Sequence, residues 1–231
     1  MTDSSYTHLV IIDDESGSMN ETSDGTRTKG QDVEKGTLDL IAEQAKLPGK
    51  LTVSLVTFDW RPDGGGGTRV VRHAWMAKPD DKKITSWKLH PYGGTPLYDA
   101  LGFIITETGL TLEAMPEDQR PGKVIFVIGT DGKENRSSEY TKEAVGSKIK
   151  TQQDGYGWDF VFIGAGFDAF EEGESIGIRH ASTASVGAPA MAAAYLHTNS
   201  AVTRSRGPGG QSVSYSPAER DDMAEKSKNE K

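Results

Sequence analysis

Hydrophobic residues in this chain fall into short unbroken runs separated by stretches of helical periodicity. Leu9, Val10, Ile11 and Ile12 form the first run, which stops abruptly at Asp13 and Asp14. A strand apolar on both faces predicts the centre of a parallel sheet covered by helices. Asn20 to Gly30 is polar and glycine-bearing and predicts a loop. Val33, Thr37, Leu40, Ile41 and Ala45 then recur at helical spacing until Pro48-Gly49 ends the helix. Leu51 to Phe58 predicts a second strand, with Leu51, Val53 and Leu55 in alternation, and Arg69 to Ala77 a third. Pro62 and the run Gly64 to Gly67 between them predict a hairpin tip, so this pair is antiparallel. The glycine run is not a phosphate loop, because no Lys-Ser/Thr follows it and it leads into a strand.

The second half repeats the alternation. Leu97, Ala100, Leu101, Ile104, Ile105 and Leu112 trace the clearest amphipathic helix, with Thr95 expected as its N-cap and Pro96 in its first turn. Val124 to Ile128 predicts a buried strand that again ends near an acid, Asp131. A polar helix is expected from about Ser137 to Lys150, and a buried strand over Phe160 to Ile163. A short helix over Asp168 to Ile176 and an edge strand near Arg179 to Thr183 should follow. An alanine-rich helix from about Pro189 to Thr203 closes the pattern, with Met191, Tyr195 and Val202 facing the core. Strands alternating with helices predict an α/β fold: a doubly wound, mostly parallel central sheet with one antiparallel edge hairpin and helices on both faces. This domain is expected over residues 1–205. Residues 206–231 carry glycine, serine and dense charge without an apolar pattern, and are expected to form a disordered tail.

Composition narrows the function. A net charge of -8 over 231 residues disfavours nucleic acid, whose phosphates call for basic surface. The absence of cysteine excludes disulfides, thiolate zinc sites and a cysteine nucleophile. No apolar run approaches the roughly 20 residues that span a bilayer, so no membrane association is expected. Met1 to His8 lacks the pattern of a secretory signal, and the expected location is the cytoplasm.

Three separated segments carry the candidate chemistry. Asp14-Glu15-Ser16-Gly17-Ser18-Met19 follows the first strand, Gly93-Gly94-Thr95-Pro96 opens a helix, and Thr130-Asp131-Gly132 follows a later buried strand. In an open α/β sheet the loops at the carboxyl ends of the strands gather where strand order reverses. If the strands before Asp13 and Thr130 are neighbours, acids and hydroxyls meet there. Every candidate ligand is oxygen, which suits a hard cation better than zinc or copper. Ser16, Ser18 and Thr95 could supply neutral oxygens directly to Mg²⁺, while Asp14 and Asp131 orient the hydroxyls and bound waters. A cation so held keeps its charge for the carboxylate of an incoming Asp or Glu. A lone Asp-x-Ser-x-Ser is more often incidental, and a lone Thr95 more often a cap. The three together, each at the end of an element, carry more weight.

The wording of these segments resembles the metal ion-dependent adhesion site (MIDAS) of von Willebrand factor type A (VWA) domains. Asp14-x-Ser16-x-Ser18, Thr95 and Asp131 match all five motif positions, and Gly-Gly-Thr-Pro-Leu-Tyr-Asp-Ala-Leu (93–101) and Ile-Gly-Thr-Asp-Gly-Lys-Glu-Asn (128–135) extend the match. Phe162-Ile163-Gly164-Ala165-Gly166 is similar to a later strand of stand-alone phage and bacterial members. The resemblance covers about residues 6–205. It implies that Ser16, Ser18 and Thr95 coordinate Mg²⁺ directly, with Mn²⁺ or Ca²⁺ as alternatives, and that Asp14 and Asp131 act through water. One departure is Asp13, where the family often has an apolar or small residue.

Other residues carry less. Asp13, Asp14 and Glu15 lack the accompanying groups of an acid–base pair. His8, His73, His90, His180 and His197 are scattered without triad order or metal-ligand spacing, which also removes a base for Ser16 as nucleophile. Of Trp60, Trp75, Trp87 and Trp158, two lie on the hairpin, where packing is their expected use. The expected function is therefore a non-enzymatic, metal-dependent module that captures an Asp or Glu of a protein partner. Alternatives are a cytoplasmic adaptor of a AAA+ (MoxR-type) ATPase and a metal-dependent phosphoester hydrolase.

Overall fold

A computed structural model describes residues 2–22, 25–63, 66–207 and 209–228. Its centre is a six-stranded sheet in the order β3-β2-β1-β4-β5-β6. β1 (Asp3–Asp14) lies between β2 (Lys50–Arg61) and β4 (Pro121–Thr130) and pairs parallel with both, with Ile12 opposite Val56 and Ile128. β5 (Asp159–Ala165) and β6 (Thr183–Val186) continue the parallel part, and β3 (Gly67–Ala77) closes the other edge antiparallel to β2. The hairpin is thus as expected. Of its glycine tip, Gly64 and Gly65 lie outside the described residues.

The pleat explains both layers. Leu9 and Ile11 point to one face, where they pack with Val53, Leu55, Ile125 and Val127 beneath α1 (Lys29–Ala45) and α6 (Met191–Arg206). Val10 and Ile12 point to the other, with Val56, Phe58, Phe126 and Ile128 beneath α3 (Leu97–Glu113), α4 (Lys142–Tyr156) and α5 (Ala169–Ser175). Helices on both faces explain why the central strands carry unbroken apolar runs. A short helix, α2 (Lys82–Thr85), lies in the connection after β3.

Several boundaries differ from expectation. Pro96, not Thr95, is the N-cap of α3, and no side chain caps it. Instead Glu134 accepts from the Tyr98 amide at 3.0 Å and the Ser137 hydroxyl accepts from the Asp99 amide at 3.0 Å. α4 starts five residues later than the polar pattern suggests, because Asp99 accepts the amides of Ser138, Glu139 and Tyr140 and holds that segment open. β6 starts only at Thr183, the last residue of the expected Arg179–Thr183 strand, because His180–Ser182 form a 3₁₀ turn.

The largest correction is at the C-terminus, where a disordered tail was expected from residue 206. α7 (Pro217–Ser227) opens with a capping box in which Ser216 and Glu219 exchange hydrogen bonds. Val213, Tyr215 and Met223 are buried among α6 and the β6 edge. Arg204 of α6 meets both carboxylate oxygens of Glu219 at 2.7 Å. Three apolar side chains without period gave no sign of this, yet each fills space against the domain.

A buried hydrogen-bond network ties α6 to the sheet. Tyr195 donates to Asp13 Oδ1 at 2.6 Å, and Thr37 of α1 donates to Asp13 Oδ2 at 2.7 Å. A Cβ on Gly129 would stand 2.2 Å from the Tyr195 hydroxyl, and one on Gly36 would stand 2.6 Å from its ring. Two glycines therefore make the slot that Tyr195 fills. Burial pushes the Asp13 carboxyl up to about 7, and the Tyr195 and Thr37 hydroxyls hold it back. His8, also buried, is pushed down to about 4 by its burial, with Thr52 and Ser54 hydroxyls at its two ring nitrogens.

Three outcomes follow. Met223→Ala should lower the unfolding free energy by about 2–5 kcal/mol in urea titrations, the cost of a core cavity. A freely mobile tail would give no change. Tyr195→Phe should cost about 1–3 kcal/mol, and more at pH 8 than at pH 5. The lost donor serves ionised Asp13 best. The neutral His8 side chain contributes stability that is fully present above about pH 6.5 and is lost as pH falls through about 4. A shift of that size corresponds to about 3 kcal/mol. Asp13 works in the opposite sense, losing stability as pH rises from about 4 through about 7. The stability difference between wild type and His8→Gln, measured from pH 7 to pH 4, should therefore narrow as the pH falls.

Candidate metal centre

Strand order reverses between β1 and β4, and the candidate residues collect at the carboxyl ends of these two strands. Asp13 and Asp14 are consecutive, so the pleat sends them to opposite faces. Asp13 goes to Tyr195 and Asp14 goes to the loop that follows β4. Thr130 donates to Asp14 Oδ2 at 2.7 Å, and the Ser16 amide donates to Asp14 Oδ1 at 2.7 Å. Both oxygens of Asp14 are thereby committed to shaping the loop. Asp14 is fully buried. That burial pushes its carboxyl up to about 7, Thr130 opposes the rise, the Asp131 charge adds to it, and Ser16 opposes it.

The hydroxyls of Ser16 and Ser18 lie 3.1 Å apart, and Ser18 donates to Asp131 Oδ1 at 2.7 Å. A Cβ added to Gly132 would stand 3.1 Å from Thr95 Oγ1 and 4.0 Å from Ser18 Oγ, so both hydroxyls lie beside Gly132. The backbone of Thr95 is clamped by Asn135: its amide donates to Asn135 Oδ1 at 3.0 Å, and its carbonyl accepts from the Asn135 amide at 3.1 Å. Gly17 donates to the Gly93 carbonyl at 3.0 Å and Tyr92 donates to the Glu15 carbonyl at 2.7 Å, joining the loop after β1 to the loop before α3. Asp14, Ser16, Ser18, Thr95 and Asp131 are thus brought together from three distant segments.

The donor set fits a hard divalent cation. Adjacent ligands of an octahedral Mg²⁺, each about 2.0–2.1 Å from the ion, stand about 2.9 Å from one another. The Ser16–Ser18 separation of 3.1 Å matches that spacing. Among the described residues no three His, Cys, Asp or Glu side chains cluster so as to hold a metal ion.

Three further residues brace the site, and none of them was assigned a site role from the sequence. Glu15 is a buried brace: it accepts from Thr57 at 3.0 Å, from Arg69 at 3.3 Å and from the His90 amide at 2.8 Å. Asn135 positions Thr95. Lys29 reaches Asp131 Oδ2 at 3.0 Å and Glu21 Oε2 at 2.7 Å. A start-of-helix lysine carries no signal that it will fold inward, and only the capping box at Thr28 and Gln31 hints where its helix begins. Beside the site, Trp60, Tyr92 and Arg136 line a concavity of about 700 Å³. The Arg136 guanidinium lies 4.6 Å over the Trp60 ring and the Arg61 guanidinium 5.1 Å over the Tyr92 ring. The rim is therefore aromatic, with the Arg136 guanidinium exposed on it and Arg61 paired to Asp59 at 2.7 Å.

No protein-family model matches the chain, and no curated protein matches it. Solved structures do. Proximal thread matrix protein 1 (PTMP1) from the mussel byssus aligns with a TM-score of 0.57 at 17% identity, covering 83% of this chain and 44% of that one. A form of the same protein with a zinc-occupied MIDAS motif aligns at 0.52 and 20% identity, covering 78% and 41%. A mutant of the PilB minor pilin from Streptococcus sanguinis aligns at 0.55 and 14% identity, covering 85% and 61%. The chain spans less than two thirds of each of these proteins. At such identities the likeness shows the fold alone, and that fold is a VWA-like, Rossmann-like α/β sheet.

Proposed function

We propose that this chain is a metal-dependent protein-binding module whose MIDAS-type centre captures an acidic side chain of a partner protein. The observation that supports this reading is the Ser16–Ser18 hydroxyl pair at 3.1 Å, tied to Asp14 and Asp131, with the Thr95 hydroxyl beside the same Gly132 as Ser18. Ser16, Ser18 and Thr95 would hold Mg²⁺, with Mn²⁺ or Ca²⁺ as substitutes, and Asp14 and Asp131 would act through water. Bound there, the cation supplies a positive charge that no carboxylate of this chain neutralises directly. Asp14 spends its oxygens on Thr130 and Ser16, and Asp131 spends its own on Ser18 and Lys29. An Asp or Glu from a partner would then supply the negative charge that the site's own residues do not give the cation directly. Arg136 adds attraction for an acidic segment, whereas Arg61 is already paired with Asp59 at 2.7 Å and the chain as a whole carries -8.

The zinc-occupied MIDAS named for the mussel protein supports the view that this fold can carry a cation at such a site. Among the described residues no helix is long and apolar enough to cross a membrane.

The test is thermal unfolding with and without Mg²⁺. At a hundredfold excess over Kd a ligand that binds only the folded state adds about 2.7 kcal/mol. For a domain of this size that raises Tm by roughly 5–10 °C. The wild type should show this rise, and the double variant Ser16→Ala/Ser18→Ala should not. Equal shifts in both proteins would remove the assignment. Release of phosphate from a generic ester in Mg²⁺, abolished by Asp131→Ala, would replace it with a hydrolase.

A further inference from the structure

Lys29 is in an unfavourable place for a lysine. It begins α1, where the helix dipole disfavours positive charge, and its side chain keeps only 11% exposure. What holds it are two carboxylates. Asp131 Oδ2 lies 3.0 Å from Nζ on the buried side, and Glu21 Oε2 lies 2.7 Å away on the solvent side, where Glu21 is 66% exposed.

The arrangement closes into a ring. The Ser18 hydroxyl donates to Asp131 Oδ1, Lys29 donates to Asp131 Oδ2 and to Glu21, and the Glu21 amide donates to the Ser18 carbonyl at 2.9 Å. The Lys29 amide also donates to the Glu21 carbonyl at 2.9 Å, fixing where Glu21 stands. Lys29 is thus separated from the Ser18 hydroxyl by the width of one carboxylate. That distance is inside the screening length of physiological salt, and the groups are mostly buried, so the ammonium and a divalent ion at Ser18 would repel one another.

Resting on the metal-binding reading above, we infer that Lys29 is an internal counter-ion that competes with the divalent cation for Asp131 and keeps the site's own metal affinity low. A partner's carboxylate restores the missing negative charge. Metal and partner then strengthen each other's binding by the same factor, as linkage requires. Glu21 is the second partner that shares the Lys29 charge with Asp131. Lys29 is a positioning residue in this scheme and does not touch the cation.

The experiment is calorimetric titration of the full chain with Mg²⁺ alone, repeated with Mn²⁺, at fixed ionic strength. Lys29→Met should bind either ion about tenfold more tightly or better, and Lys29→Arg, which keeps the charge, should stay near wild type. Glu21→Gln is exposed and carries little folding risk. It should bind a few-fold more weakly, because the lysine charge then falls wholly on Asp131. Unchanged or weaker binding by Lys29→Met, or an unaffected Glu21→Gln, overturns the role of Lys29 while leaving the metal site standing. Absence of binding in every variant, or binding that survives Ser16→Ala/Ser18→Ala, overturns the metal-site reading and this inference with it.

Discussion

The parallel pairing of β1 with β4 is the constraint on which the rest of the molecule depends. Because the chain runs outward from β1 to β2 on one side and from β4 to β5 on the other, the loops after them leave the sheet in opposite senses and open a crevice between Asp14 and Thr130. The pairing register puts Ile12 opposite Ile128 and Asp13 opposite Gly129. A one-residue slip would exchange the faces of Asp13 and Asp14 and separate Asp14 from Thr130. The unbroken apolar runs on both strands hold the pairing by burying both faces.

Around that crevice the protein buries an unusual number of charges and gives each one partners. Asp13 has two hydroxyls, Asp14 a hydroxyl and an amide, Glu15 a hydroxyl, an arginine and an amide, and Asp131 a hydroxyl and an ammonium. Unpaired, any of these would be costly. Paired, they rigidify the loops, so the hydroxyls of Ser16 and Ser18 are already at ligand spacing. The same economy explains why Lys29 is tolerated at a helix start.

Asp13 links the site to the far side of the sheet. Its neighbour Asp14 shapes the serine loop, while Asp13 itself anchors Tyr195 of α6 and Thr37 of α1. The family resemblance singled out position 13 as a departure, and the structure supplies the reason for an acid there. It is the acceptor for two hydroxyls on the helices that cover this face.

The order of strands and helices was legible in the sequence because burial on both faces leaves continuous apolar runs, and amphipathic helices leave their own period. That the segments of Asp14, Ser16, Ser18, Thr95 and Asp131 would approach one another was legible because each follows a buried strand or opens a helix at the same edge of the sheet. What tertiary structure alone decided were contacts between residues without local signal. Asp99 gathering the amides of 138–140 delayed α4, and the helix start at Pro96 left the Thr95 hydroxyl free of a capping role. Val213, Tyr215 and Met223 gave order to a segment whose composition suggested none, and Lys29 turned inward to Asp131. In each case the deciding energy is a long-range partner, a carboxylate or a patch of core. A pattern read along the chain contains the periodicity of an element but not the identity of what it will meet.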